Sequence, residues 1–298
     1  MHATPQRIID AHVHMWDRAR FDYAWLDGIG GALDRNFGPA DLVEEVDGTV
    51  AGAVFVQADC DPSQSIAEAQ WVHDLAVKGA PIIAIVAAAP LELGGGAQGH
   101  LAQLAEIELV SGVRRLTQDE PQGFMLHERF IEGVRSLAEY DLAMDLCIRS
   151  RQLAEATELV AACPEVTFVL DHLAKPAIDP AALSGWAADL GRLAQLPNAR
   201  CKLSGLATEA SGTLETPDAV RPWLESGLSA FGAERCMFGS DWPVLTSAAS
   251  YSWWRDAVDG VVGELSAAEA ARVWAGTAEE TYDPIRRQQL QKESAAWH

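Results

Sequence analysis

Short apolar runs recur along the chain, each followed by a longer stretch whose apolar positions repeat three or four residues apart. The runs are Arg7–Trp16, Gly52–Asp59, Pro81–Ala89, Ser111–Thr117, Leu142–Ser150, Val166–Lys175, Ala199–Leu206 and Arg235–Val244. Near-continuous hydrophobicity over so few residues suits parallel strands buried on both faces. The stretches between them read as helices. Residues 61–78 open on Asp-Pro, a helix-start signal, residues 151–163 keep the same spacing, and residues 216–232 stop at Gly232. A further helical stretch, "SAAEAARVWAGTAEETY", follows the last strand, and the polar tail "RRQQLQKESAAWH" is expected to fray. Eight alternations of strand and helix predict an α/β fold of the (β/α)8 TIM-barrel type, with a helical extension from about residue 264. No linker or shift in composition divides residues 1–298, so a single domain is expected. An open doubly wound sheet is the alternative, and the lack of a Gly-rich phosphate loop after the first run weighs against it.

Composition narrows the class of partner. The 298 residues are 49% hydrophobic and 22% charged, enough for one large domain. Lys and Arg number 22 against 43 Asp and Glu, a formal charge of −21, which repels nucleic acid and anionic membrane. The five cysteines form no C-x-x-C pair, which argues for reduced thiols rather than a disulfide framework or a zinc ribbon. The N-terminus lacks a signal-peptide pattern, and the most apolar run, "PIIAIVAAAP", falls far short of the roughly 20 residues a membrane span needs. A cytoplasmic enzyme or binding protein is the expectation, with its oligomeric state left open.

The chemistry gathers at the strand ends, where barrels of this type place their active sites. In the first run a period of two puts Asp10, His12 and His14 on one face and Ile9, Ala11 and Val13 on the other, with the histidines ~7 Å apart along the backbone. The other runs contribute Gln57 and Asp59, Arg114 and Arg115, Arg149, Asp171, His172 and Lys175, Lys202 and Ser204, and Asp241. Three histidines and an aspartate at one rim have the donor set for a divalent metal; without one, they activate water and polarise a carbonyl. Of Asp171 and His172 the period admits only one to the barrel, and the histidine is the better candidate. Lys202 reads equally well as a snorkelling rim lysine, while Arg115 and Arg149 read as outward ion-pair formers. His2, His73, His100, His127 and His298 are expected to be solvated. Trp16, Trp25 and Trp242 lie near one mouth and could form stacking walls for a sugar ring.

The stretches "DAHVHMWD", "FDYAWL", "FVLDHLAKP", "CKLSGL" and "MFGSDWPV" resemble the amidohydrolase superfamily, most closely its sugar-lactone hydrolases of the L-fuconolactonase and L-rhamnonolactonase type. The resemblance runs from about Arg7 to about Tyr282. It implies a (β/α)8 fold and hydrolysis of a cyclic ester, with His12, His14, His172 and Asp241 at the reacting centre. Many metal-dependent members carry a carboxylated lysine or glutamate on strand four and a histidine on strand five. Here strand four offers arginines and strand five reads "DLCIRS", so two metals are not expected. A single Zn2+ or other divalent ion on His12, His14 and Asp241 is expected to bind but not to be required. Asp241 is then the general base, Arg114 holds hydroxyls or the product carboxylate, and Gln57, Trp16, Trp25 and Trp242 grip the sugar. The expected substrate is a small neutral sugar lactone, L-fuconolactone or its L-galactono analogue. The alternatives are a metal-dependent decarboxylase of aromatic acids and a non-catalytic sugar-binding protein.

Overall fold

The eight apolar runs become eight strands: β1 (Ile9–Val13), β2 (Gly52–Val56), β3 (Ile82–Ala88), β4 (Val110–Arg114), β5 (Ala143–Leu146), β6 (Phe168–Leu170), β7 (Ala199–Leu203) and β8 (Cys236–Phe238). The structure is a computed structural model that describes residues 7–210 and 216–283. All neighbouring strands pair in parallel, in chain order from β1 to β8. A parallel bridge between Val13 and Trp242 joins the two edges, so the sheet closes into a (β/α)8 barrel. Closure removes the exposed edges an open sheet would leave.

Inside the lower barrel, Ile9, Ala11, Val54, Val56, Ala84, Val86, Ala143, Val169 and Met237 form one apolar cluster. Tyr282, from the C-terminal helical segment, packs into the same cluster. Alanines next to branched side chains let the layers interdigitate in the narrow barrel. A larger cluster lies between the strands and the surrounding helices and holds the outward residues such as Val13, Phe55, Ile85, Phe168 and Leu203.

β1 departs from the expected alternation. Asp10 and Val13 are three positions apart while their partners on β2, Ala53 and Phe55, are two apart, so β1 carries an extra residue. The bulge reverses the faces midway. Ile9 and Ala11 point into the barrel with His12 above them, and Asp10 does not share the histidines' face. Its carboxylate instead accepts from Ser240 N (2.8 Å) and Tyr251 Oη (3.0 Å), tying β1 to the segment after β8.

The helices follow local signals. Asp179 caps Pro180–Ala194 by accepting from Ala181 N at 2.9 Å, and Ser250 caps Tyr251–Val262 by accepting from Trp253 N at 3.1 Å. Arg221–Phe231 ends at Gly232, whose φ of 72° suits glycine. The expected helix over 266–282 is broken into Ala267–Ala271, a π-helical turn at Arg272–Gly276, and Thr277–Tyr282. The tail expected to fray lies outside the described residues, as do His2 and His298. No helix among the described residues is long and apolar enough to cross a membrane.

Candidate active site

Above the apolar floor the barrel interior turns ionic. Lys202 is 0% exposed, and its Nζ bonds Asp145, lies 3.1 Å from Asp171 Oδ1 and sits 3.3 Å from His12 Nδ1. It is no snorkelling lysine at the rim: the inward face of β7 carries its whole side chain into the barrel, where two carboxylates compensate the charge. Asp145 was not among the sequence candidates. The only signal was an acid inside the apolar run "LAMDLC", two residues above Ala143 on the inward face of β5. Tyr282 Oη donates to it at 2.5 Å. Burial pushes the Asp145 carboxyl up to about 6 against the pull of Lys202. Asp171 is likewise buried, but Lys202 and His12 overcome that and hold it well below the ordinary carboxylate range.

His14 Nδ1 donates to the Val56 carbonyl at 2.7 Å, which leaves Nε2 as an acceptor. His12 Nδ1 faces Asp171 Oδ1 at 3.2 Å, and Arg114 Nη1 donates to His12 Nε2 at 3.3 Å. The two Nε2 atoms are therefore both lone-pair bearing, yet stand only 3.2 Å apart. Asp241 Oδ1 completes a triangle at 3.3 Å from His14 Nε2 and 3.7 Å from His12 Nε2. Ligand atoms about 2.0–2.1 Å from a tetrahedral zinc stand about 3.3 Å apart, so His12, His14 and Asp241 fit one metal ion. A second grouping, His12, Asp171 and His172, is also close enough for a metal, but Arg114 and Lys202 already supply its cations.

Asp171 and His172 both reach the interior, contrary to the period-two expectation. The strand ends at Leu170, and His172, Leu173, Ala174 and Lys175 take φ values of 53°, 54°, 62° and 49°. This left-handed turn swings His172 in beside Asp171, at a cost of roughly 1–2 kcal/mol per residue. Trp186 Nε1 donates to Leu173 O at 3.0 Å and helps hold it. His172 Nδ1 pairs with Ser204 Oγ at 2.8 Å, and its Nε2 lies 3.8 Å from Asp241 Oδ1. Gly205 lies so close that a Cβ there would stand 2.6 Å from the His172 ring. Burial lowers the His172 imidazole to about 4 despite the pull of Asp241, so it is neutral at neutral pH. Burial opposes ionisation of Asp241, yet the neighbouring imidazoles, His172 foremost, hold it below the ordinary carboxylate range. Asp241 itself sits at φ 64°, a further strained residue at the site.

A cavity of about 260 Å3 opens over these groups, lined by His14, Trp25, Arg114, His172, Lys175 and Asp241 among others. Trp25 takes the expected place, with its Nε1 donating to Ala58 O at 2.7 Å. Trp16 and Trp242 do not. They are 0% and 1% exposed, pack against Phe37, and are absent from the lining, because the chain after β1 and β8 turns them back under the rim. Arg114 is 5% exposed, and its Nη2 donates to the Gln57 carbonyl at 2.7 Å. Arg115 pairs with Glu92 and Glu120 and Arg149 with Asp119, as outward ion-pair formers do. Gln57 and His100 line an adjoining chamber, and His100 is packed with its Nε2 3.0 Å from the Ala88 carbonyl rather than fully solvated.

A family profile described as Amidohydrolase matches residues 9–283. A curated protein of Burkholderia multivorans named L-fucono-1,5-lactonase is 36% identical over 291 residues, 92% of this chain and 95% of that protein. A Burkholderia ambifaria protein of the same name is 31% identical over 281 residues, 91% and 93% of the two chains. A crystal structure of an amidohydrolase from Burkholderia multivorans with bound zinc superposes with a TM-score of 0.82 at 34% identity, covering 92% and 98% of the two chains.

Proposed function

The chain belongs to the amidohydrolase family, and on that premise we propose that it hydrolyses a neutral sugar-acid lactone to the aldonate. L-Fucono-1,5-lactone and its L-galactono counterpart are the substrates of choice, in line with the names of the Burkholderia relatives. The observation that carries the reading is the Asp241 carboxylate, with Oδ1 within 3.3–3.8 Å of three imidazole nitrogens at the floor of the cavity.

The ion-pair contacts of Asp241 all fall on Oδ1, which leaves Oδ2 to take a proton. A water between Asp241 and the lactone carbonyl carbon attacks that carbon and passes its proton to Asp241. So weak a base accepts the proton late, once the forming C–O bond has made the water acidic. The carbonyl oxygen becomes an oxyanion, and the Arg114 guanidinium and the neutral His172 are the donors within reach. With Ser204 donating to His172 Nδ1, the imidazole keeps a hydrogen on Nε2 for that oxygen. Each such donor contributes about 3 kcal/mol. The oxyanion then collapses, the bond to the ring oxygen breaks, and the proton on Asp241 goes to that oxygen as it leaves. Bound to His12, His14 and Asp241, a divalent metal would add Lewis-acid polarisation.

The test is kcat/KM across neutral aldonolactones and dicarboxylated pyrone lactones, followed with a pH indicator. The neutral set should be faster by at least about a hundredfold, because Arg114 is already committed to Asp171 and Gln57 while the protein carries a charge of −21. A preference for the dicarboxylates would overturn the reading.

A further inference from the structure

Beside the reaction cavity lies a second chamber of about 300 Å3, and the two share Asp59, Arg114 and Leu116 as a common wall. Pockets that hold a small organic ligand run from about 300 Å3 upward. The reaction cavity alone, at about 260 Å3, falls just short of that, and the two together lie within it. The chamber's wall is apolar on one side, with Ala88, Ala89, Pro90 and Leu116. Ala88 ends the inward row of β3 above Ala84 and Val86, so its methyl faces the mouth.

The polar side is selective in charge. Arg115 is already paired with Glu92 at 3.1 Å and with Glu120 at 2.6 Å, so it offers no free cation. Asp59 stands at the junction with φ 59°, and its carboxylate makes no hydrogen bond or ion pair with any described residue. Its backbone is locked instead, with the amide donating to Gln57 Oε1 at 2.6 Å. A non-glycine residue held in the left-handed region is strain of the kind that accumulates at binding sites, and its exposed carboxylate lies open to both cavities. Arg114 adds a buried donor, Nε, that has no partner either.

We propose that this chamber is the subsite for the exocyclic chain of the lactone, and that Asp59 accepts a hydrogen bond from a hydroxyl on that chain. The inference rests on the lactonase reading and decides within it. A lactone whose remote ring carbon carries a hydroxylated chain is preferred over the 6-deoxy compound that carries a methyl. A carboxylate on the chain is rejected, because Asp59 meets it with like charge and Arg115 is already paired with Glu92 and Glu120.

The experiment measures kcat/KM on 1,5-lactones of one ring configuration whose exocyclic group is hydrogen, methyl, hydroxymethyl or dihydroxyethyl. The hydroxylated members should exceed the hydrogen member by at least about tenfold. Ala88→Leu, which fills the chamber, should collapse that ratio. Asp59→Gly, which tolerates the backbone conformation, should remove the hydroxymethyl-over-methyl preference while keeping the methyl-over-hydrogen one. Circular dichroism checks each fold; should Ala88→Leu not fold, Asp59→Gly and the wild-type series still decide. Equal kcat/KM across the series, or an equal loss on every member in both variants, would overturn the subsite while leaving the lactonase reading intact. Failure to hydrolyse any lactone would overturn that reading, and the inference with it.

Discussion

Asp241 unites His12 and His14, at the end of β1, with His172 from the turn after β6, and its chemistry is tested by one atom. Asn keeps the shape but cannot take a proton from water, so Asp241→Asn should lower kcat by at least about a thousandfold with the fold preserved. Retention of a tenth of the activity would remove Asp241 from the role of base. The metal is a separate matter at the same scale. Arg114 already places a cation 3.3 Å from His12 Nε2, the nitrogen a metal would use. Exhaustive chelation should therefore leave most of the lactonase activity, while zinc added back should bind with a stoichiometry of one. Activity lost on chelation and restored by zinc would make the metal obligatory and Arg114 its competitor. His12, His14, His172 and Asp241 were all legible as candidates because strand-end histidines and acids have little structural reason to be there. Trp16 and Trp242 misled because an aromatic near a mouth and an aromatic beneath it look alike in sequence.

At the scale of elements, β5, β6 and β7 are linked by charge as much as by their backbone ladder. Lys202 of β7 lies between Asp145 of β5 and Asp171 just past β6, all at 0% exposure. Removing the cation leaves Asp145 buried without a counter-charge and Asp171 with Arg114 alone, so Lys202→Met should cost about 3–5 kcal/mol in urea unfolding. Adding Asp145→Asn to it should cost clearly less than the sum of the two single changes, since the carboxylate then has no charge left to strand. Strict additivity would show that the pair does not interact. The strands themselves were readable from their apolar runs. The bulge in β1 and the left-handed turn after β6 were not, because a register shift and a run of positive φ values leave no mark on hydrophobic periodicity. Those two features decide which residues enter the site: Asp10 leaves it, and Asp171 joins His172 in it.

For the molecule as a whole, burial of acids in an acidic protein sets how stability responds to pH. Glu68 lies under the rim, where it accepts from Tyr23 Oη at 3.0 Å and from Ala58 N at 3.4 Å. Burial pushes its carboxyl up to about 7 in spite of those bonds. An unfolded glutamate loses its proton near pH ~4.3, so between there and about 7 the native state binds the extra proton. The contribution is fully present below pH ~4.3 and is lost as pH rises through about 7, by at most about 4 kcal/mol. Gln mimics the protonated form. Glu68→Gln should thus gain in Tm relative to the wild type between pH 5 and pH 8, and an unchanged gap would place the titration elsewhere.

The pattern of apolar runs by itself determined the eight strands, their parallel order and the rim at which polar side chains gather, because burying a strand on both faces requires such runs and closing the barrel requires eight of them. Motif spacing marked His12, His14, His172 and Asp241 as candidates, and the fold brings them together. Only the tertiary structure decided what neutralises what. The match of Lys202 to Asp145 and Asp171, the burial of Trp16 and Trp242, and the junction at Asp59 all depend on residues distant in sequence meeting in space. Coulomb energy and desolvation are set by those distances, and a linear pattern does not contain them.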